Sequence, residues 1–243
     1  MTAAATQILD RPPCRATQLA LDLPHADGDR LIDFMPATPN HAALEAVLCW
    51  PDWPVRACLL IGPPACGKTH LARVWVERAQ AVFLRGQDLW RPAEPLARLG
   101  SGSACVVDDA DEGAQEEELF HLWNLVVGGG GSLLLTATRP VAAWGVQLPD
   151  LRSRLLTAWP VRIELPDDGL LQALLVKQLA DRQIRIDLEV VEFLVRRMER
   201  SFAAARLLVR ELDRASLRAR RPVTMPLARA VLEELATTRE GEE

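Results

Sequence analysis

Residues 62–69 have the sequence Gly62-Pro63-Pro64-Ala65-Cys66-Gly67-Lys68-Thr69, which indicates the fold of this chain more strongly than any other segment. It contains two glycines separated by four residues and followed by Lys and Thr, which is the pattern of a phosphate-binding loop. Glycines allow such a loop to wrap closely around phosphates, and its backbone N–H groups then point at the negative charge. The pattern therefore predicts a site for a nucleoside triphosphate.

The residues around this loop support the same prediction. The apolar run 57–61 before it is typical of a buried parallel strand, and residues 71–76 after it have a helical pattern. Lys68 would reach the β- and γ-phosphates, and the Thr69 hydroxyl would supply one ligand of a Mg²⁺ ion. Strand, loop and helix in this order favour a nucleotide site over a simple glycine turn. We expect the nucleotide to contact Gly62, Pro63, Pro64, Ala65, Cys66, Gly67, Lys68, Thr69 and His70.

Composition narrows the classes of protein that this chain can belong to. Its 243 residues are 49% hydrophobic and 25% charged, which is ordinary for one large or two small globular domains. The net charge of −5 argues against a broad nucleic-acid surface. The five cysteines form no metal-type pairs, and no apolar stretch reaches membrane-spanning length. We expect a cytoplasmic protein with reduced cysteines and no membrane contact.

Strand-like and helix-like segments alternate through residues 31–165. After a helix at 40–49, this order implies a parallel sheet with helices on both faces, as in an α/β P-loop NTPase. The predicted strands are 57–61, 81–84, 104–107, 132–136 and 161–164, and the helix before the fourth strand is 116–127.

After Pro166 the pattern changes to helices alone. Asp187 and Ser201 are natural N-caps for two of these helices. A small all-α lid domain is therefore predicted over 166–238. Its helices are expected at 168–183, 187–198, 201–218 and 224–235.

The second half of the predicted site follows the buried strand 104–107, which ends in two carboxylates. Ligands in such sheets bind outside the carboxyl ends of the strands, so we assign Asp108 to the Mg²⁺ ion and Asp109 to polarising the attacking water. The alternative is a plain acidic loop, because acids continue from Asp111 to Glu118. We assign those later acids to the solvated surface.

Two further candidates lie downstream. Thr138 follows the strand 132–136, so its hydroxyl could contact the γ-phosphate or the water; Thr136 is the next choice, and a simple strand-ending turn is the alternative. Arg152 and Arg154 lie in a short helical segment before the last strand. An arginine at a subunit edge can stabilise transition-state charge in a neighbour's site, although a surface arginine is the simpler interpretation of the residues alone.

Residues 1–30 have neither helical nor strand periodicity, so we predict a flexible tail. Within it, residues 18–24 alternate Leu with other residues behind Gln18. This pattern is typical of an extended peptide that buries alternate side chains in a partner's pocket. A short edge strand or a chance cluster of leucines is the alternative.

Together these motifs resemble the AAA+ ATPases of the DnaA family, and within it the Hda-type regulators, which lack the initiator's DNA-binding domain. The resemblance covers almost the whole chain. It is carried by Asp33–Phe34, Pro39–Ala42, Gly62–His70, Val107–Asp109, Thr138–Pro140, Leu148–Leu155, Leu212–Leu217 and Arg221–Pro226.

The resemblance implies roles that the residues alone leave open. Arg154 falls on the family's arginine finger, which acts in trans, and Asn40 matches the segment that lines the adenine pocket. The implied ligands are ADP or ATP with Mg²⁺ bound by Thr69 and Asp108. The resemblance also implies a partner, the sliding clamp of DNA polymerase III (its beta subunit). Such proteins bind the clamp through a short peptide, which matches Gln18, Leu19, Leu21 and Leu23 here.

One departure from the family concerns the lid. The family's sensor arginine aligns with Ala203, and Arg206 lies one turn further along the same helix. Arg206 is therefore a candidate substitute, and intrinsic ATP hydrolysis is expected to be weak or absent. After Ala236 there is no room for a helix-turn-helix domain, so no direct sequence-specific DNA binding is expected.

The resemblance thus implies an adaptor that binds nucleotide and the sliding clamp and stimulates hydrolysis of DnaA-bound ATP, a negative regulator of replication initiation. Self-association through the Arg154 edge is left open. One alternative is a loader or anchoring protein of the same family that acts on a helicase or on DNA. Another is a P-loop kinase of a small molecule, which would leave residues 18–23 and the helical end unexplained.

Overall fold

A five-stranded parallel sheet forms the centre of the first part of the chain, as a computed structural model covering residues 31–89, 99–100 and 102–240 shows. The strand order is β2-β3-β4-β1-β5, which confirms the predicted parallel sheet. The last strand begins two residues earlier than its predicted start. The strands are β1 (Ala57–Ile61), β2 (Val82–Arg85), β3 (Ala104–Asp108), β4 (Ser132–Ala137) and β5 (Trp159–Arg162).

Every residue of β1 and β3 is buried, because the sheet is covered on both faces. Side chains alternate between these faces: Leu133 and Leu135 of β4 pack in one core, and Leu134 packs in the other. The first core is completed by α3 (Glu116–Val126) and α4 (Pro149–Leu155). The second is completed by α1 (His41–Leu48) and α2 (Lys68–Ala79).

The parallel register brings the carboxyl ends of the strands to one edge of the sheet. Ile61 at the end of β1 pairs with Ala137 at the end of β4, and Arg85 at the end of β2 pairs with Asp108 at the end of β3. The phosphate loop, Asp108 and Thr138 must therefore lie near one another.

Four helices with a core of their own form the second part. Ser201 caps α7 as predicted, because its side chain accepts a hydrogen bond from the Ala204 N–H at 3.1 Å. Asp187 stands at the N-cap of α6, but its side chain makes no capping hydrogen bond; Asp167 caps α5 instead. The helices are α5 (Asp168–Asp181), α6 (Leu188–Val195), α7 (Phe202–Ala219) and α8 (Met225–Glu240).

Across the described residues no helix is both long and apolar enough to cross a membrane. The predicted tail 1–30 lies outside the described residues.

Substituting a leucine in the centre of the sheet should destabilise the protein strongly. Leu134 is fully buried in β4, so Leu134→Ala should lower the free energy of unfolding by about 2–5 kcal/mol through lost contacts and a cavity. Leu165→Ala is the matched control, because Leu165 is 63% exposed and its truncation should change stability by less than about 0.5 kcal/mol. Urea denaturation of both variants measures the difference, and equal losses would contradict the core assignment.

Candidate nucleotide-binding site

The phosphate loop joins β1 to α2, and its two glycines occupy positions where a side chain does not fit. A Cβ atom on Gly62 would lie 2.8 Å from the Cys66 sulfur and 2.9 Å from the Ile163 Cβ. Gly67 has φ +97°, a left-handed conformation that favours glycine. The glycine spacing therefore follows from close packing at one end of the loop and backbone conformation at the other.

Lys68 is the first residue of α2, and only 5% of it is exposed. Its ammonium group donates hydrogen bonds to the carbonyl oxygens of Gly62, at 2.9 Å, and Pro63, at 3.1 Å. A buried charge needs such partners, and here they hold it inside the curve of the loop, where a phosphate would lie. Burial raises the pKa of the neighbouring Cys66 thiol, so this cysteine is a neutral packing group at pH 7.

Asp108 connects the loop helix with two strands. Its carboxylate accepts a hydrogen bond from the Thr69 hydroxyl at 2.9 Å and another from the Thr136 hydroxyl at 2.6 Å. The residue is 3% exposed, and Thr136 is fully buried. The predicted metal ligands Thr69 and Asp108 are thus in direct contact.

The donor atoms at this point fit a Mg²⁺ ion. Hydroxyl and carboxylate oxygens are the ligands that Mg²⁺ prefers, and it usually keeps several waters besides one or two protein ligands and phosphate oxygens. Thr69 and Asp108 would supply the protein ligands. When bound, the ion would neutralise charge on the phosphates.

Asp109 lies in the cavity wall beside Asp108. Its backbone N–H donates to the Thr136 hydroxyl oxygen at 2.9 Å, and its φ of +52° turns the chain away from the strand. Burial and, second, the Asp108 charge raise the pKa of the Asp109 carboxyl group. A carboxylate made more basic in this way suits the predicted role of polarising water.

Asp111 corrects the prediction that the later acids are solvated. Its side chain is fully buried, and its carboxylate accepts hydrogen bonds from the Thr138 hydroxyl at 2.6 Å and from the Thr138 and Arg139 backbone N–H groups at 3.1 Å. Thr138 therefore lines the cavity with its hydroxyl already engaged by Asp111. The one hint in the sequence was the apolar Ala110 between the acids, whose N–H donates to Thr136 as the chain folds back.

Glu116 is a second exception to the solvated acidic surface. Its carboxylate accepts hydrogen bonds from the backbone N–H groups of Gln147, at 2.9 Å, and Leu148, at 2.7 Å. Leu148 is the N-cap residue of α4, so this carboxylate ties the first turn of α3 to the start of α4.

A cavity of about 850 Å³ opens between the phosphate loop and the four-helix part. This size is within the range of pockets for nucleotide-sized ligands. Apolar residues in its wall could contact a base, while cations from the four-helix part add positive charge. The apolar group is Phe34, Met35, Leu170, Leu174 and Phe202, and the cations are Lys177, Arg182 and Arg206.

Asn40 lines this cavity, and both ends of its amide are engaged within its own loop. Its oxygen accepts from the Ala37 N–H at 2.8 Å, and its NH₂ group donates to the Met35 oxygen at 2.9 Å. Only 3% of the residue is exposed. Asn40 therefore shapes the segment that borders the cavity.

The other predicted residues lie in three different places. Arg206 lines the cavity from α7, while Ala203 is exposed one turn before it and is not part of the described cavity wall. Arg154 also lies outside that wall; it is on α4, with its guanidinium carbon 4.9 Å from the centre of the Phe120 ring. Gln18, Leu19, Leu21 and Leu23 lie outside the described residues.

Comparison with known proteins agrees with this architecture. The family described as "Hda, lid domain" matches residues 167–232. Domain III of the Thermotoga maritima replication initiation protein DnaA is similar with a TM-score of 0.72 and 17% identity, over 83% of this chain and 94% of that chain.

Two further structures share the fold at lower similarity. AMPPCP-bound DnaA from Aquifex aeolicus has a TM-score of 0.60 and 17% identity, over 74% of this chain and 63% of that chain. The Thermotoga maritima RuvB Holliday junction branch migration motor has a TM-score of 0.64 and 18% identity, over 86% and 72%. At these identities the likeness shows the fold, and it confirms the predicted AAA+ P-loop architecture.

Replacing Asp109 and replacing Asp111 with Asn should change the stability of the protein in opposite directions when nucleotide and Mg²⁺ are absent. The pKa of Asp109 is raised in the folded protein, so its carboxyl group favours folding while it is protonated, and this contribution to stability is lost as pH rises through the folded-state pKa. Asn resembles the protonated form. Asp109→Asn should therefore increase the free energy of unfolding at pH 7. Burial alone would raise the pKa of Asp111, but hydrogen bonds from Thr138 and Arg139 lower it. Asp111→Asn should therefore decrease the free energy of unfolding at pH 7.

Urea denaturation at pH 7 and at pH 4 and below measures both effects. The deficit of Asp111→Asn should shrink as pH falls below the unfolded-state pKa of about 3.9, because the contribution of a lowered pKa is lost there. Destabilisation by both substitutions at pH 7 would contradict the assigned environments.

Lys68→Ala should reduce affinity for ADP and ATP by at least about 30-fold, because losing one partner of a buried charge pair costs about 2–5 kcal/mol. Arg78→Ala is the matched control, since Arg78 is an exposed cation on the same helix and is not part of the described cavity wall. Titration with a fluorescent ADP analogue compares them, and an equal loss in both variants would show that the phosphates lie elsewhere.

Proposed function

We propose that this chain, a DnaA- and Hda-like AAA+ protein, regulates DnaA by acting on the nucleotide that DnaA holds. In this proposal the chain docks against ATP-bound DnaA and inserts Arg154 beside the bound triphosphate. Hydrolysis then converts DnaA to its ADP form and limits initiation of chromosome replication. The chain is an activator of its partner's hydrolysis more than a catalyst of its own.

The position of Arg154 is the main support for action on a partner's nucleotide. Arg154 is outside the wall of the chain's own nucleotide cavity, as far as the described residues define it, and is held on the surface of α4. A guanidinium group presented in this way can reach a site on another subunit. There it would stabilise the charge that develops on the transferring phosphoryl group, a contribution of about 10³- to 10⁵-fold in rate.

The chain's own site is proposed to bind ADP or ATP with Mg²⁺. Lys68 would hold the β- and γ-phosphates, Thr69 and Asp108 would hold the ion, and Asp109 is the candidate for polarising water. Support comes from the contacts of these residues and from relatives of the same fold whose structures contain AMPPCP. The bound nucleotide would mainly fix the shape in which the chain docks.

Hydrolysis in the chain's own site should be slow. Ala203 stands where the resemblance places a sensor arginine, and the Thr138 hydroxyl is engaged by Asp111. Arg206 reaches the cavity from the same helix and is the candidate substitute for the missing arginine.

The segment of Gln18, Leu19, Leu21 and Leu23 is proposed to bind the sliding clamp of DNA polymerase III. A tether of this kind raises the effective concentration of the chain near DnaA without a new contact between the two proteins. It would restrict the reaction to times when a clamp is loaded on DNA.

The half-life of ATP bound to DnaA tests the proposal directly. It should shorten when this chain and DNA-loaded clamp are both present, and stay unchanged when either is omitted. Arg154→Ala should abolish the acceleration while leaving clamp binding intact, because only the charge at the partner's nucleotide is lost. Arg152→Ala is the matched control, since Arg152 is an exposed arginine on the same helix.

Two results would contradict parts of this proposal. Full stimulation by Arg154→Ala would remove the arginine finger. No stimulation by the complete mixture, despite ADP binding and clamp binding, would favour a loader or anchoring role on a helicase or on DNA. Deletion of residues 1–30 separates these roles, because it should abolish the adaptor's function and matter little to a loader.

A further inference from the structure

We propose that Phe120 is a positioning residue for Arg154, and this inference rests on the proposed function of Arg154 as a finger. The guanidinium carbon of Arg154 lies 4.9 Å from the centre of the Phe120 ring, within the distance of a cation–π contact. Phe120 is half-buried on α3, and Arg154 is half-buried on α4. The resemblance to known proteins assigned no role to Phe120.

The backbone around Arg154 is fixed independently of its side chain. Leu151 and Leu155 are buried on the core side of α4, with 0% and 1% exposure. The Thr157 hydroxyl donates to the Arg154 carbonyl oxygen at 2.6 Å. These contacts fix the backbone of the short helix α4. The Arg154 side chain can still change its orientation, and the contact with the Phe120 ring restricts that freedom.

Glu116 helps to hold α4, and with it Arg154, beside the Phe120 ring. Glu116 and Phe120 are four residues apart on α3 and therefore share one face of the helix. From that face Glu116 accepts hydrogen bonds from Gln147 and Leu148 at the start of α4, and Phe120 contacts Arg154 one helical turn further on. Two contacts from one helix face thus set the position of α4 and of its arginine.

A ring contact suits a finger because it leaves the hydrogen-bonding capacity of the arginine unused. A guanidinium group is planar, and its five N–H donors lie in that plane. The ring attracts the cation without accepting those hydrogens strongly, whereas a carboxylate partner would engage the same donors. Phe120 can therefore hold Arg154 extended while its donors stay available for phosphate oxygens.

Four variants test this role in the DnaA-bound ATP assay with DNA-loaded clamp. Phe120→Leu keeps apolar bulk but removes the ring, and Phe120→Tyr keeps the ring. Phe193→Leu is the matched control, because Phe193 on α6 also has an arginine over its ring, Arg197 at 4.1 Å, far from α4 in the chain. Arg154→Ala reports on the underlying finger.

Phe120→Leu should lower the maximal stimulated hydrolysis rate about two- to fivefold, the typical effect of an exposed cation–π contact. The loss should appear at saturating concentrations of the chain, with little change in the half-saturating concentration or in ADP binding. Phe120→Tyr and Phe193→Leu should keep the unsubstituted rate.

The outcomes separate the two claims. An unchanged rate for Phe120→Leu, with Arg154→Ala inactive, would overturn the positioning role and leave the proposed function standing. Equal losses in Phe120→Leu and Phe120→Tyr would also overturn it, because the ring would then not be the cause. Full activity of Arg154→Ala would instead contradict the proposed function itself.

Discussion

One buried carboxylate, that of Asp108, connects the main elements of the candidate site. It ends β3, accepts from Thr69 at the start of α2 and accepts from Thr136 in β4, so one buried group joins the loop helix to two neighbouring strands. The Thr136 hydroxyl also accepts from the Asp109 N–H and thereby fixes the turn that follows. Because Asp108 is nearly inaccessible to water, these hydrogen bonds are required to offset the cost of burying its charge.

Two later acids, Asp111 and Glu116, extend this arrangement toward α4. Asp111 holds the backbone of Thr138 and Arg139 after β4, and Glu116 holds the segment that leads into α4. The loop after β3 and helix α3 therefore connect the metal-binding position, Thr138 and α4. This physical continuity gives the proposed docking role a structural basis, since the orientation of α4 depends on the same elements that face the nucleotide.

The sequence was sufficient for the features that local patterns determine. The spacing of the phosphate loop, the apolar run of β4 and the capping Ser201 each follow from steric or periodic rules that act over a few residues. The roles of Asp111 and Glu116 depend on backbone N–H groups about thirty residues away, so residue type alone could not separate them from a solvated acidic run. The contact between Phe120 and Arg154 likewise depends on how two helices pack.

If the chain acts on its partner's nucleotide, the ATP that is hydrolysed must be the ATP bound to DnaA. DnaA is loaded with radiolabelled ATP and this chain with unlabelled AMPPCP, and DNA-loaded clamp is added; a reciprocal mixture carries the label on this chain and AMPPCP on DnaA. We expect rapid conversion of the label to ADP in the first mixture and slow conversion in the second. Rapid conversion only in the second mixture would contradict action in trans and would identify the chain as a hydrolase of its own nucleotide.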